Sequence, residues 1–189
     1  LYSGVGTLGI IAASASKEVY SIEIIKNAVL NGIKNATLNQ VNNIKFMLGD
    51  VSKTVDKIDF NFDTLIVDPP RKGLDKKSKE FILKKLPAKI IYVSCDPNTL
   101  MRDLKEFESI YEVCDFKIMD MFSYTYHVES FCVLKKKYRK ATFNDINDIA
   151  NLVTDLLGTC NIKSESSILE SNIEEITKDI NHYYVCTIN

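Results

Sequence analysis

Four short apolar runs recur along the chain, and each ends on a residue that can do chemistry. They are residues 18–23, ending on Glu23; 44–48, leading to Asp50; 64–67, leading to Asp68; and 89–93, leading to Cys95. Helical patterning separates them. Ile25, Ala28, Val29, Ile33 and Ala36 keep a 3.6-residue spacing after the first run. Residues 76–86 read as a helix stopped by Pro87, and Asn98 or Asp96 can cap a helix running to Phe107. Ahead of the first run, Leu1-Tyr2 reads as the end of another strand, and a helix to about Ala15 follows it. Such alternation predicts an α/β fold with a mostly parallel sheet covered on both faces. Residues 112–120 and 129–134 are strand-like with no helix between them, which predicts an antiparallel pair at one edge. Folds of this kind keep their ligands outside the carboxyl ends of the strands.

Composition narrows the class. Hydrophobic residues make up 46% and charged residues 26% of 189, as in a soluble globular protein. No apolar run approaches the ~20 residues of a membrane span. Five cysteines at wide spacing, with no C-x-x-C pair, predict a reducing cytoplasm and no metal in this chain. Residues 1–137 carry 20 Lys and Arg against 17 Asp and Glu, whereas residues 138–189 carry 4 against 8. That asymmetry and the Lys135-Lys136-Lys137 run predict a boundary there: a mildly basic first part that tolerates nucleic acid, and an acidic tail. The chain does not begin with Met, so an upstream portion is expected.

The loop Gly4-x-Gly6-x-x-Gly9, between a strand end and a helix, is a nucleotide-binding signature. It serves dinucleotides and S-adenosylmethionine alike. Glu23, about 20 residues on, is placed to accept ribose hydroxyls. Asp50 is either an acceptor for an adenine amino group or a helix N-cap. Asp68-Pro69-Pro70-Arg71-Lys72-Gly73 is more specific, because two prolines remove two backbone donors and stiffen the turn that holds Asp68 at its strand end.

Cys95 is either a small buried residue or a nucleophile. Its strand-end position, the helix N-terminus that follows and Arg102 nearby favour the second, since positive potential favours a thiolate. Glu129 is the candidate partner base, or else an edge-strand carboxylate in solvent. Thr125, Tyr126 and His127 before it could contact a base, with His127 positional rather than a proton carrier.

Several stretches together resemble the RNA uridine C5-methyltransferases: residues 1–7, Glu23 with Asn27-Ala28, 68–73, 92–104, Asp120-Met121-Phe122 and His127-Val128-Glu129. They span residues 1–137. The resemblance implies a class I, Rossmann-like methyltransferase fold with S-adenosylmethionine as cofactor, contacted by Tyr2, Gly4, Gly6, Thr7, Glu23, Asp50 and Asp68. It implies that Cys95 adds to C6 of uracil, that C5 then takes the methyl group, and that Glu129 removes the C5 proton. The partner is RNA, with 23S rRNA expected ahead of tRNA, and the target uridine must be unstacked to reach Cys95. The family usually has Cys at Ser3, Pro at Ser123 and an Asp before Leu1. It also carries an upstream RNA-binding barrel and, in many bacterial members, an iron–sulfur cluster region. A truncated chain retaining only the fold is the alternative.

Residues 138–189 read as β-α-α-β, with strands at 138–142 and 182–188 and helices at 144–157 and 164–180. Arg139-Lys140-Ala141-Thr142, Asp145 and Ile149 resemble the opening of the GCN5-related N-acetyltransferases. That family's pyrophosphate loop is missing, so the segment is expected to be an incomplete piece that does not bind acetyl-CoA.

Overall fold

The structure is a computed structural model; it describes residues 1–121, 123–125, 128–159, 166–180 and 184–185. It divides into two units, Leu1–Lys136 and Lys137–Asn189.

The first unit alternates as the apolar pattern predicts. Its elements are α1 (Thr7–Ala13), β1 (Val19–Glu23), α2 (Lys26–Leu38), β2 (Ile44–Leu48), α3 (Val51–Thr54), β3 (Thr64–Val67), α4 (Lys76–Lys85), β4 (Lys89–Ser94), α5 (Pro97–Phe107), β5 (Tyr111–Met119) and β6 (Glu129–Lys136). The short α3 and the 3-10 turn Val55–Lys57 after it carry too few residues for a periodic signal. α1 stops at Ala13, two residues before the expected end.

β1 and β2 pair in parallel, and so do β3 and β4. β6 runs antiparallel to both β4 and β5, giving the order β3-β4-β6-β5. The closing pair is thus joined to the sheet through β6, and β5 is the edge. The expected strand at Leu1-Tyr2 forms no ladder, and Tyr2 has φ 59°. Residues 1–3 nonetheless join the two sheets. The Ser3 amide donates to Ile22 O at 3.0 Å. The Leu1 amino group donates to Ile66 O at 2.7 Å, and the Asp68 amide to Leu1 O at 3.4 Å. The carboxyl ends of β1 and β3 are thereby drawn to one place.

The core lies beneath these ends, built from Ile22, Val67, Ile82, Ile90, Tyr92, Leu100, Phe107 and Leu134 among others. Full burial of each such side chain contributes about 1.5–3 kcal/mol. α5 shows how the local sequence directs this. Asp96 caps it by accepting from the Asn98 and Thr99 amides, and Pro97 occupies the first turn, where a missing N–H costs nothing. Leu100, Leu104 and Phe107 then form its inward face. At the far end of α4, Leu86 takes a left-handed conformation (φ 50°) and Pro87 prevents continuation.

The second unit has the predicted element order: β7 (Arg139–Lys140), α6 (Ile146–Thr159), α7 (Ser166–Asp179) and β8 (Tyr184–Val185). β7 and β8 pair antiparallel, Arg139 with Val185 and Lys140 with Tyr184. Thr142 and Asp145 form a capping box ahead of α6, the Thr142 amide donating to Asp145 Oδ2 at 2.7 Å. Ala141, Ile149, Ala150, Ile176 and Ile180 make a small core of its own. No helix among the described residues is long and apolar enough to cross a membrane.

Candidate functional site

The glycine loop is held by Glu23. Its Oε2 accepts from the Gly4 amide and its Oε1 from the Ile25 amide, both at 2.8 Å. The carboxylate is buried at the end of β1, and each oxygen retains capacity for a further donor. Gly6 (φ 82°) is required twice over. Its backbone is left-handed, and a Cβ there would stand 2.7 Å from the Phe46 ring. Beside Gly4 there is open space, with no heavy atom within 4 Å of where a Cβ would be. Thr7 is the exposed first residue of α1.

Asp50 adopts the N-cap role that the sequence left open: its Oδ1 accepts from the Ser52 amide at 3.0 Å and from the Ser52 hydroxyl at 2.9 Å. Those bonds hold its carboxyl below the usual carboxylate range. It still stands at the end of β2, and the Gly49 amide donates to Glu23 O at 2.9 Å, tying the two strand ends together. Ile24 and Ile25, each 58% exposed, lie next to Glu23. An open glycine loop, an oriented carboxylate, a second acid and bare aliphatic side chains fit the adenosyl part of S-adenosylmethionine, whose ribose needs acceptors and whose base needs an apolar wall.

Tyr2 is turned elsewhere. Its hydroxyl donates to Asp75 Oδ2 at 3.2 Å and lies 3.0 Å from Ser78 Oγ, at the N-terminus of α4. Burial pushes its pKa up to about 12. Asp68 follows β3 directly. Desolvation raises its pKa above the usual carboxylate value.

Cys95 is half-buried, one residue beyond the end of β4. Two of the features expected to polarise it are used differently. The Asp96 carboxylate occupies the N-terminus of α5, accepting from Asn98 N at 2.8 Å. The Arg102 guanidinium bonds Asp103 Oδ1 and Lys72 O, each at 2.8 Å. Position remains. β4 and β6 pair in antiparallel register from Lys89 opposite Lys135 to Ser94 opposite Ser130, and the next residues along the two chains are Cys95 and Glu129. Thr125 is exposed, while Phe122, Tyr126 and His127 lie outside the described residues.

One buried group escaped the sequence reading. Asp103 is fully buried, accepting from the Leu74 amide and from the Tyr92 hydroxyl, each at 2.8 Å. Its signal was periodicity: Leu100, Asp103, Leu104 and Phe107 stand at i, i+3, i+4 and i+7, so a carboxylate sits on the inward face of an amphipathic helix.

Parallel strands whose carboxyl ends converge on a glycine loop and an acid define the class I methyltransferase fold. A putative methyltransferase from Streptococcus mutans solved with SAH (TM-score 0.55, 11% identity, 71% of this chain and 85% of that one) has the same fold. The profile described as tRNA (Uracil-5-)-methyltransferase matches residues 1–137, and the chain belongs to that family. An uncharacterized RNA methyltransferase of Caldanaerobacter subterraneus is 44% identical over 137 residues, covering 72% of this chain and 30% of that protein. One from Clostridium tetani is 42% identical over 138 residues, again 72% and 30%. The solved tRNA (uracil-54, C5)-methyltransferase of Pyrococcus abyssi, in complex with S-adenosyl-L-homocysteine, aligns with a TM-score of 0.62 at 34% identity, over 70% of this chain and 32% of that one. The chain thus spans about a third of the length of these relatives.

Proposed function

We propose that residues 1–137 form the catalytic part of an S-adenosylmethionine-dependent enzyme that methylates C5 of a uridine in RNA. The observation that carries this reading is the β4–β6 register, which runs on from Ser94 and Ser130 toward Cys95 and Glu129. Directly opposed residues of an antiparallel pair lie about 4.5–5.5 Å apart at Cα and share one face. A thiol and a carboxylate so arranged suit a ring whose C6 takes a nucleophile and whose neighbouring C5 must lose a proton.

The Cys95 thiolate forms a bond to C6, and the C5–C6 π electrons move into an enolate, which makes C5 nucleophilic. S-adenosylmethionine, when bound, supplies the methyl group as an electrophile. Glu129 accepts the C5 proton, the C5–C6 double bond re-forms and the C6–S bond breaks, releasing the thiolate. Glu23 would accept the ribose hydroxyls, and Asp50, through the edge not taken by Ser52, the adenine amino group. Gly4, Gly6 and Thr7 would line the loop side, with Tyr2 and Asp68 at the mouth. Tyr2 would act through its ring, because its hydroxyl is bound at α4.

The family and the Pyrococcus abyssi enzyme are both named for transfer RNA; ribosomal RNA is the expectation from resemblance alone. Mapping 5-methyluridine in total RNA of a deletion strain separates the two. Loss at a ribosomal position supports the rRNA reading, loss at a transfer-RNA position replaces it, and no loss overturns C5 methylation. We read residues 138–189 as similar to a GCN5-related N-acetyltransferase opening, supported by the order β7-α6-α7-β8. Calorimetry with acetyl-CoA should return no binding heat.

A further inference from the structure

We propose that Asp103 is a positioning residue that locks the loop after Asp68 onto the helix after Cys95, so that the two strand ends keep one fixed spacing. This rests on the methyltransferase reading for its consequence, not for its geometry.

The contacts are made by one face of α5. Thr99 Oγ1 donates to Arg71 O at 3.0 Å. Arg102 Nη2 donates to Lys72 O at 2.8 Å, and Asp103 Oδ2 accepts from the Leu74 amide at 2.8 Å. Three residues of one loop are thus held through their backbone, which holds the loop's path whatever its side chains do. The loop also presses close. Gly73 has φ 76°, and a Cβ on it would stand 2.6 Å from both Arg102 Nη2 and Asp103 Oδ2. A side chain there would be strained and would push aside the Arg102 and Asp103 groups that hold the loop.

The hold reaches both catalytic strand ends. The Gly73 amide donates to Pro70 O at 2.8 Å and closes a turn, and only Pro69 separates that turn from Asp68. Proline fixes φ, so little slack remains. On the other side, the Tyr92 hydroxyl donates to Asp103 Oδ2 at 2.8 Å from within β4, three residues before Cys95. α5 itself starts at Pro97, two residues after Cys95. One buried carboxylate therefore touches the strand before Cys95, belongs to the helix after it, and holds the loop beyond Asp68. Arg102 and Lys79 compensate its charge, Lys79 Nζ at 3.6 Å from Oδ1. Burying that charge is costly without such partners, so a role beyond packing explains its place on an inward helix face.

Uracil C5 methylation demands this spacing. The nucleophile must be on C6 while the methyl donor approaches C5, and a misplacement of about 1 Å can cost about 10²-fold in rate. The test uses the full chain with Asp103→Asn, Asp103→Glu and Tyr92→Phe, and Thr99→Val in case Asp103→Asn does not fold. Amide exchange at residues 71–74 should accelerate about tenfold, the effect of losing one buried charged hydrogen bond, while exchange in β1 and α2 stays unchanged. On RNA substrate, kcat should fall about 10²-fold with KM for the methyl donor within about twofold. Asp103→Glu, which keeps the charge but shifts it, should not rescue. Unchanged exchange at 71–74 overturns the lock, and so does rescue by Glu or a parallel loss of kcat and donor affinity. A wild-type chain that shows the expected exchange pattern but binds no S-adenosylmethionine in calorimetry overturns the functional reading and leaves the lock standing.

Discussion

Ser94 and Ser130 face each other across the antiparallel β4–β6 ladder, and both are buried. The Ser94 hydroxyl donates to Asp96 O at 3.0 Å and accepts from the Asp96 amide at 3.2 Å, bending the chain just after Cys95. This pair brings together a strand that is followed directly by a thiol and a strand that begins with a carboxylate, 34 positions apart in the chain.

If Glu129 is the base, its removal stops the reaction after bond formation to C6. Glu129→Gln should therefore accumulate a covalent protein–RNA adduct on a denaturing gel, and Cys95→Ala should form none. Normal turnover without adduct in Glu129→Gln would remove Glu129 from the mechanism.

Cysteine alkylation should follow burial. Cys132 is fully buried and its thiol is pushed up to about 11 by desolvation. Cys114 is exposed and Cys95 half-buried. Peptide mapping after brief iodoacetamide treatment of the native chain should find Cys114 and Cys95 modified ahead of Cys132. Early labelling of Cys132 would contradict its placement between β4 and β5.

Asp68 makes stability depend on pH. Its folded-state pKa is raised from 3.8 by partial desolvation of a side chain that still reaches solvent, so the folded state weakly favours the protonated form. The stabilisation is fully present below 3.8 and is lost as pH rises through the higher folded value. Asp68→Asn should raise the melting temperature slightly at neutral pH, since solvent screens most of the effect, and the gain should shrink as pH falls toward 3.8. A gain that grows on acidification would reverse the sign of the shift.

Gly6→Ala should destabilise the first unit by about 1–3 kcal/mol, combining a left-handed backbone with overlap of the Phe46 ring. Phe46→Leu should recover part of the loss, measured by urea denaturation. Full stability in Gly6→Ala alone would show that the loop can re-form around a side chain.

The helix of α5 bears on the same site through its cap. Asp96→Ala removes the acceptor for the Asn98 and Thr99 amides and should cost about 1 kcal/mol, lowering the melting temperature by about 4 °C.

Much of the fold was legible in the chain because burial leaves a period. β2 and β3 begin and end where their apolar runs do, and α2, α4 and β4 agree within two residues. Glu23, Asp68 and Cys95 were recognisable because each closes such a run. Local sequence could not settle what these groups bond to. Tyr2 turned to Asp75 and Arg102 spent on Lys72 O depend on elements far apart in sequence, whereas the Asp50 cap is a local bond to Ser52, one of the two roles its position allows.

The sequence by itself determined the strand–helix alternation, the residues at the strand ends and the family, since all three are carried by local pattern and motif. Only the tertiary structure decided that the strand before Cys95 pairs with the strand that Glu129 opens, Ser94 opposite Ser130, and that Asp103 joins the loop beyond Asp68 to the strand and helix around Cys95. Those relations come from strand pairing and from one buried charge that must be satisfied by partners up to 29 residues away, and no local spacing encodes either.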